Sequence, residues 1–488
     1  MKTNLRRVTG SALLSIAAML ASGAAAAFGS GGTGADGALN PTADTVLPLP
    51  PSGTFNFTTV NIPAGVTVTF QRNVTNRPVV MLATGDVIIA GTIDVSGSSS
   101  VGNTLFGNDG QPGLGGPGGY NGGQGGLVLG SRRGGDGLGP GGGSAGAVNP
   151  NNGSEGMGGG GGGYAAPGGA VSGTSSNGTN WSIPGGPSYG SIFIQPLIGG
   201  SGGGGGGGSA TIRGEGGGGG GGAILIASSG AIELRATGRI LANGGNTGTN
   251  VSTTFSPGCG AGGSGGAIRI VANAVRGNGL LQAAGGLGAS SNCLGNGIGA
   301  PGRIRIEADQ IPYANASNSP VPTADVPNPL FLAGQPNLRI ASVGGVAAPA
   351  FPTGNMDVTL PTNVTNPVAV VFETSGVPVG STISLVVTPS LAAPITAQST
   401  PLSGTTTSAT ATASVSIPAG HSVFQATVTY AIVVALGEAL SRYAQNERVE
   451  KITLSATLGG PSKAKLITVS GKEYDAPAEA LRMAALGG

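Results

Sequence analysis

This chain has little with which to build an ordinary active site. Among 488 residues there are one histidine, one tryptophan and two cysteines, and charged residues make up only 9%. The lone His421 excludes a multi-histidine metal centre. It follows the turn Pro418-Ala419-Gly420 with no nucleophile or orienting acid recognisable around it, and reads as a strand-end residue. Lysine is missing between Lys2 and Lys451, which weakens the case for a polysaccharide lyase, though arginine can serve as the base there. No glycine run is followed by Gly-Lys-Ser/Thr, which excludes a phosphate-binding loop. No cofactor and no metal are expected. Beyond the N-terminal segment no run of about 18 apolar residues occurs, so no transmembrane segment is expected.

The N-terminus has the order of a secretory signal peptide. Lys2, Arg6 and Arg7 are basic, Ala12 to Met19 is apolar, and Ala25-Ala26-Ala27 offers a cleavage site before Phe28. Losing those three cations takes the balance from 22 basic and 20 acidic residues to 19 and 20. The remainder then has no bulk electrostatic affinity for nucleic acid. The expected location is extracellular or at the cell surface, with the periplasm also open. In an oxidising compartment Cys259 and Cys293 are expected to form one structural disulfide.

Glycine is what the chain has in excess: 99 residues, roughly three times average usage. One phrase recurs after it. Ala223-Ile224-Leu225-Ile226-Ala227 follows Gly216 to Gly222. Ala267-Ile268-Arg269-Ile270-Val271-Ala272 follows Gly265-Gly266, and Arg303-Ile304-Arg305-Ile306-Glu307-Ala308 follows Gly302. Val79 to Ala83, Asp86 to Ala90 and Thr92 to Val95 repeat the rhythm of three short strands. Three such strands cannot close a core alone, but stacked copies can. The expected inward ladders are Val80, Ile224, Ile268 and Ile304, with Leu82, Ile226, Ile270 and Ile306 beside them. Met81, Leu225, Arg269 and Arg305 then point outward.

The expected fold is all-β: a short parallel β-helix with long Gly-rich insertions, then an Ig-like antiparallel β-sandwich with one short helix. The boundaries read as signal peptide 1–27, linker 28–52, β-helix 53–311, Pro-rich linker 312–336, sandwich 337–471 and tail 472–488. The helical spacing spans Val434 to Gln445. The largest insertion, Gly97 to Gly222, has two readings. It is either unstructured, because glycine is the costliest residue to order, or a set of extended glycine helices in polyproline II geometry, side by side. It lacks a strict three-residue repeat, which excludes collagen.

Parallel coils can carry carboxylates for polysaccharide cleavage, so the acids were placed on them. Asp86 and Asp94 fall in one coil, Glu233 with Arg235 and Arg239 in the next, and Glu307 and Asp309 in the last, near Arg303 and Arg305. Arg269, Arg303, Arg305, Glu307 and Asp309 are the candidate binding residues; no catalytic set is assigned. Gly107-Asn108-Asp109-Gly110 and Gly134-Gly135-Asp136-Gly137 faintly resemble a calcium-binding glycine-aspartate repeat, but they are isolated from each other.

The stretch Phe55 to Gly97, with "IPAGVTVTF" and "GDVIIAGTIDVSG", followed by returns to "GGAIxI" and "GRIxI", resembles secreted bacterial glycine-rich β-helix proteins. "GTIDVSG" is similar to the coils of filamentous-haemagglutinin-type adhesins. The resemblance covers residues 53–311. It implies an adhesion or matrix role, with cell-surface polysaccharide or envelope proteins as partners. The alternative is a carbohydrate-active or carbohydrate-binding β-helix protein. A weaker third is an ice- or surface-binding protein, prompted by Thr67 and Thr69.

Overall fold

The structure, a computed structural model, describes residues 27–476 except 74, 102–109, 129–132, 149–154, 175–177, 179, 211, 249–256, 289–294, 296, 331–335, 350–356, 390–393, 421, 434–439 and 458–462. It is all-β. Its described residues contain one helical element, a 3₁₀ turn at Ser441–Tyr443, and several parallel and antiparallel sheets. That turn lies in the described end of the expected helix, while residues 434–439 lie outside the described residues. So do residues 1–26, Cys293 and His421.

Strands β1 (Thr45–Pro48), β2 (Thr54–Phe57), β3 (Val60–Ile62), β4 (Thr67–Gln71), β5 (Val79–Ala83), β6 (Val87–Ile89) and β7 (Thr92–Asp94) open the fold. After them come a hairpin, β8 (Val171–Thr174) with β9 (Asn180–Ile183), and then β10 (Ala223–Leu234), β11 (Arg239–Leu241), β12 (Ala267–Gly277), β13 (Leu280–Gln282), β14 (Arg303–Gln310) and β15 (Thr323–Asp325). Apart from the β8–β9 hairpin, all these strands pair in parallel, in three stacks. The first runs β2, β5, β10, β12, β14, β15. The second joins β3 and β6 to the C-terminal halves of β10 and β12. The third runs β1, β4, β7, β11, β13. The chain passes through each stack in turn and then starts again.

Ladders of β-branched and leucine side chains fill the space between the stacks. Val68, Ile93, Ile240 and Leu281 face inward from the third, and Val60, Val87, Ile232 and Val275 from the second; all are buried. In the first stack the register corrects the expected ladder. Val79 pairs with Ile224 and Met81 with Ile226, so Val80 and Leu82 face outward. The segment Val79-Val80-Met81-Leu82 is apolar at every position because both its faces are covered. Alternation therefore carries no phase, and a one-residue slip in reading inverts every side chain.

Both expected linkers take part in the stacks. β1 lies in 28–52 and pairs with β4, and Asp36 and Leu39 donate backbone N–H groups to Asn56 and Thr59. β15 lies in 312–336 and pairs with β14, with Tyr313 and Ser319 bridged to Gly277 and Gln282. Proline marked these segments as irregular, yet it is tolerated at a sheet edge.

The insertions 95–222, 242–266 and 283–302 all leave between the third stack and the first. Most of their described residues form neither helix nor ladder, and their amides pair between segments. Gly214, Gly217 and Gly220 donate to Gly126, Gly123 and Tyr120. Glu215, Gly218 and Gly221 donate to Gly258, Ala261 and Ser264, and Gly219 and Gly222 donate to Ser98 and Val95. The donors rotate through three neighbours with a period of three, which is the period of a polyproline II helix. Residues 199–208 follow the same rule: Gly203 and Gly206 turn to Gly218 and Glu215, Gly202 and Gly205 to Leu138 and Gly135, Gly204 and Gly207 to Gly160 and Met157. This is the ordered one of the two readings. The pairing answers the entropic objection, since a buried N–H must find a partner and the amides named here find theirs in another segment.

The C-terminal half has two antiparallel sheets. One joins β16 (Asn337–Val343), β17 (Val346–Ala347), β18 (Val368–Ser375), β21 (Ser403–Thr405) and β22 (Ser408–Val415). The other joins β19 (Ser384–Pro389), β20 (Ile395–Gln398), β23 (Ser422–Val433), β24 (Val449–Thr457), β25 (Lys463–Thr468) and β26 (Glu473–Asp475). Val370 and Phe372 of the first pack with Leu385, Ala426 and Val428 of the second in one core. β24 pairs antiparallel with β25 towards the end of the second sheet. β26 extends it into the expected tail.

Candidate functional site

The outward residues of the first stack form two rows: Val80, Leu225, Arg269, Arg305, and Leu82, Ala227, Val271, Glu307. The β2-proximal end is apolar and the β14 end charged. Three segments from elsewhere cover them. Phe28, Leu197 and Leu330 pack on the apolar end, while Phe193, Gln195 and residues 325–330 close the charged end.

Beneath that cover, Arg269 and Glu307 form a bidentate pair, Nε to Oε1 at 3.2 Å and Nη2 to Oε2 at 2.8 Å. Arg305 Nε donates to Oε1 at 2.6 Å and its Nη2 to Asp325 Oδ2 at 2.8 Å. The backbone N–H of Asn328 donates to Oε2 at 3.0 Å. Glu307 thus accepts four hydrogen bonds, the full capacity of a carboxylate. Arg269 also donates to the carbonyls of Pro329 and Leu330, each at 3.1 Å, and Gln195 donates its amide to Pro329. The Arg305 guanidinium lies 5.0 Å from the Phe193 ring centre. Arg269 and Glu307 are 1% and 0% exposed.

The five candidate residues therefore divide. Arg269, Arg305 and Glu307 converge, but under a strap rather than in an open groove. Arg303 turns away, with its guanidinium 5.8 Å from the Tyr164 ring centre and Nη2 facing the carbonyls of Tyr189 and Gly190. Asp309 is exposed beyond the bend of β14. The pairing partners Asp325, Asn328, Phe193 and Gln195 were missed. Asp325 and Asn328 sat in a segment taken for a linker, and nothing local marks Phe193 or Gln195.

The other acids weighed serve the backbone or pair at the surface. Asp86 accepts from the N–H of Ala231, Asp94 from that of Ser96, and Glu233 pairs with Arg235 and Arg276. Asp136 pairs with Arg133 and accepts from Ala145; Asn108 and Asp109 lie outside the described residues. Among the described residues no group of three histidine, cysteine or acidic side chains gathers as a metal would need. No described helix is long and apolar enough to cross a membrane.

The glycine segments have their own polar content. Tyr164 and Tyr189 meet edge to face at 4.7 Å, and their hydroxyls donate to the carbonyls of Ile198 and Gly199. Burial pushes the hydroxyls of Tyr120, Tyr164 and Tyr189 well up, so all three keep their protons at neutral pH. Glu215 is buried among glycines, with Oε2 facing the N–H of Gly260 at 3.4 Å. Burial raises its carboxyl to about 7, against the lowering effect of that N–H. Cys259 is buried in the same region.

The register also gathers the segment ends. Ser100 bonds to Asn246, Thr247 to Leu287, Gly126 to Gly206, Gly207 to Met157 and Gly258 to Gly207, while Val148 bridges Gly156. These paired positions lie at the end of the bundle away from the strand stacks. Val101, Leu127 and Leu287 are exposed there.

No family model, no curated protein and no solved structure matches this chain.

Proposed function

We propose that the chain is a secreted, non-enzymatic protein of the bacterial surface or extracellular matrix. In this reading the first half is a short parallel β-helix, the second an Ig-like β-sandwich, and Cys259 and Cys293 form a disulfide. The glycine bundle is a rigid arm that carries its far end to a partner, either a cell-surface polysaccharide or an envelope protein. One observation carries the reading: the glycine forms an amide-paired bundle whose far end exposes Val101, Leu127 and Leu287. Its densest charged cluster, by contrast, is spent on holding a strap. Exposed apolar side chains at one end of an ordered scaffold are suited to contact with a partner. The resemblance to glycine-rich β-helix proteins and adhesin coils points the same way.

A polysaccharide-cleaving enzyme needs an acid and a base open to substrate. Glu307 has neither free lone pairs nor solvent access, so that alternative lacks a site on the first stack. The experiment is binding of the labelled full-length chain to bacterial cells and to immobilised envelope polysaccharides. Saturable binding lost on changing Leu127 and Leu287 to Asp, and kept with Val46→Asp on the strand stacks, supports the reading. Release of reducing sugar from any of those polysaccharides contradicts it.

A further inference from the structure

Between β10 and β12 the register shifts: Ser228 pairs with Ala272 and Ala231 with Ala274. Ser229 and Gly230 thus stand opposite the single residue Asn273, a bulge at the corner between the first and second stacks. A bulge re-aims its side chains, and here Asn273 meets the backbone of Phe28. Its Oδ1 accepts the Phe28 N–H at 2.7 Å, and its Nδ2 donates to the Phe28 carbonyl at 3.1 Å and to the Ser229 carbonyl at 2.7 Å. One amide side chain therefore pairs with both backbone groups of one residue, as a neighbouring strand would.

The next residues are held as firmly. The N–H of Ser30 donates to Ser229 Oγ at 3.0 Å, Ser30 Oγ donates to the Ala83 carbonyl at 2.7 Å, and Ser30 is buried. The Phe28 ring packs on the patch of Val80, Leu82, Leu225, Ala227 and Val271. Ala27, one residue earlier, is exposed. Chain ends are usually loose unless tied down, and this tie falls on the residue after the Ala25-Ala26-Ala27 site.

We propose that Phe28 is the first residue of the mature protein and that the Asn273–Ser229 slot is a built receptor for the newly formed N-terminus. This rests on the reading of residues 1–27 as a secretory leader. In the cleavage, water attacks the Ala27 carbonyl in a signal peptidase and the Ala27–Phe28 C–N bond breaks. Ala27 leaves as a carboxylate on the leader, and the Phe28 nitrogen takes up protons to become an ammonium. Asn273 Oδ1 accepts from that nitrogen in either state, and a bond from a charged donor is the stronger. With Phe28 docked and Ser30 buried, the bond is out of a peptidase's reach, so cleavage precedes docking.

The test has two arms. The full chain with its own leader is produced in a bacterial host, and the exported protein is sequenced from its N-terminus and weighed intact. The expected start is Phe28; any other start, or a retained leader, overturns the cleavage site. In the second arm, protein beginning at Phe28 is released from a cleavable tag, so docking is measured even if export fails. Its melting temperature is compared with the same protein acetylated at the α-amine. The free amine is expected to melt about 2–4 °C higher. Asn273→Ala is expected to lower the melting temperature and erase the difference, and Asn273→Asp, which adds a charge facing the ammonium, to enlarge it. Equal melting of free and acetylated protein, or a difference that Asn273→Ala leaves intact, overturns the docking.

Discussion

The carbonyl oxygen of Gly203 lies 2.0 Å from where a Cβ on Gly217 would stand. No flexible side chain intervenes, and backbone meets backbone, as the amide pairing on the other sides of Gly217 also requires. Gly217→Ala is therefore expected to cost about 3 kcal/mol, at the upper end for overpacking. Leu114→Ala, on an exposed edge of the same bundle, should stay within about 0.5 kcal/mol. Urea denaturation of the two variants measures the contrast, and equal stabilities would show that the central segments are not in contact.

The Arg269–Glu307–Arg305 cluster gives a second expectation. Glu307→Leu leaves two buried guanidiniums facing each other and removes the acceptor of the Asn328 N–H. Breaking a buried pair on one side costs about 3–5 kcal/mol. The strap at 325–330 should then open, and limited proteolysis should cut there before anywhere else in the first half. Unchanged stability and an uncut strap would mean that the strap is held by its apolar contacts alone.

Glu215 makes the bundle sensitive to pH, and the sign follows from its raised carboxyl. Burial lifts it to about 7, above an unfolded value of about 4.3. The native state thus binds the proton more tightly. Its contribution is fully present below the unfolded value, falls as pH rises from about 4.3 to about 7, and is gone above that. The drop is of the order of 3 kcal/mol. Glu215→Gln should flatten the stability profile across that window, whereas a variant that keeps the slope would place its origin elsewhere.

The stacks were legible because their inward residues repeat: Ile224, Ile268 and Ile304 are in the register that the recurring phrase implies. Val80 was misplaced because a strand covered on both faces has no alternation to read. The bundle was half legible. A three-residue spacing of non-glycine residues does exist at its edges, in Gln111, Leu114 and Pro117 and again in Asn121, Gln124 and Leu127. At the centre it vanishes, because segments 199–208 and 214–222 have neighbours on every side and, apart from Ser201 and Glu215, leave almost no room for side chains. The strap was illegible because its partners are far apart in sequence: Gln195 reaches Pro329 across 134 residues.

Amide hydrogen exchange, read by mass spectrometry on peptides from residues 110–126, 156–163, 199–208 and 214–222, tests the ordered bundle most directly. An amide paired between segments exchanges only when the bundle opens. The account predicts protection of these glycine peptides comparable to that of β10 and β12. Complete exchange within seconds, while β10 and β12 stay protected, would contradict it.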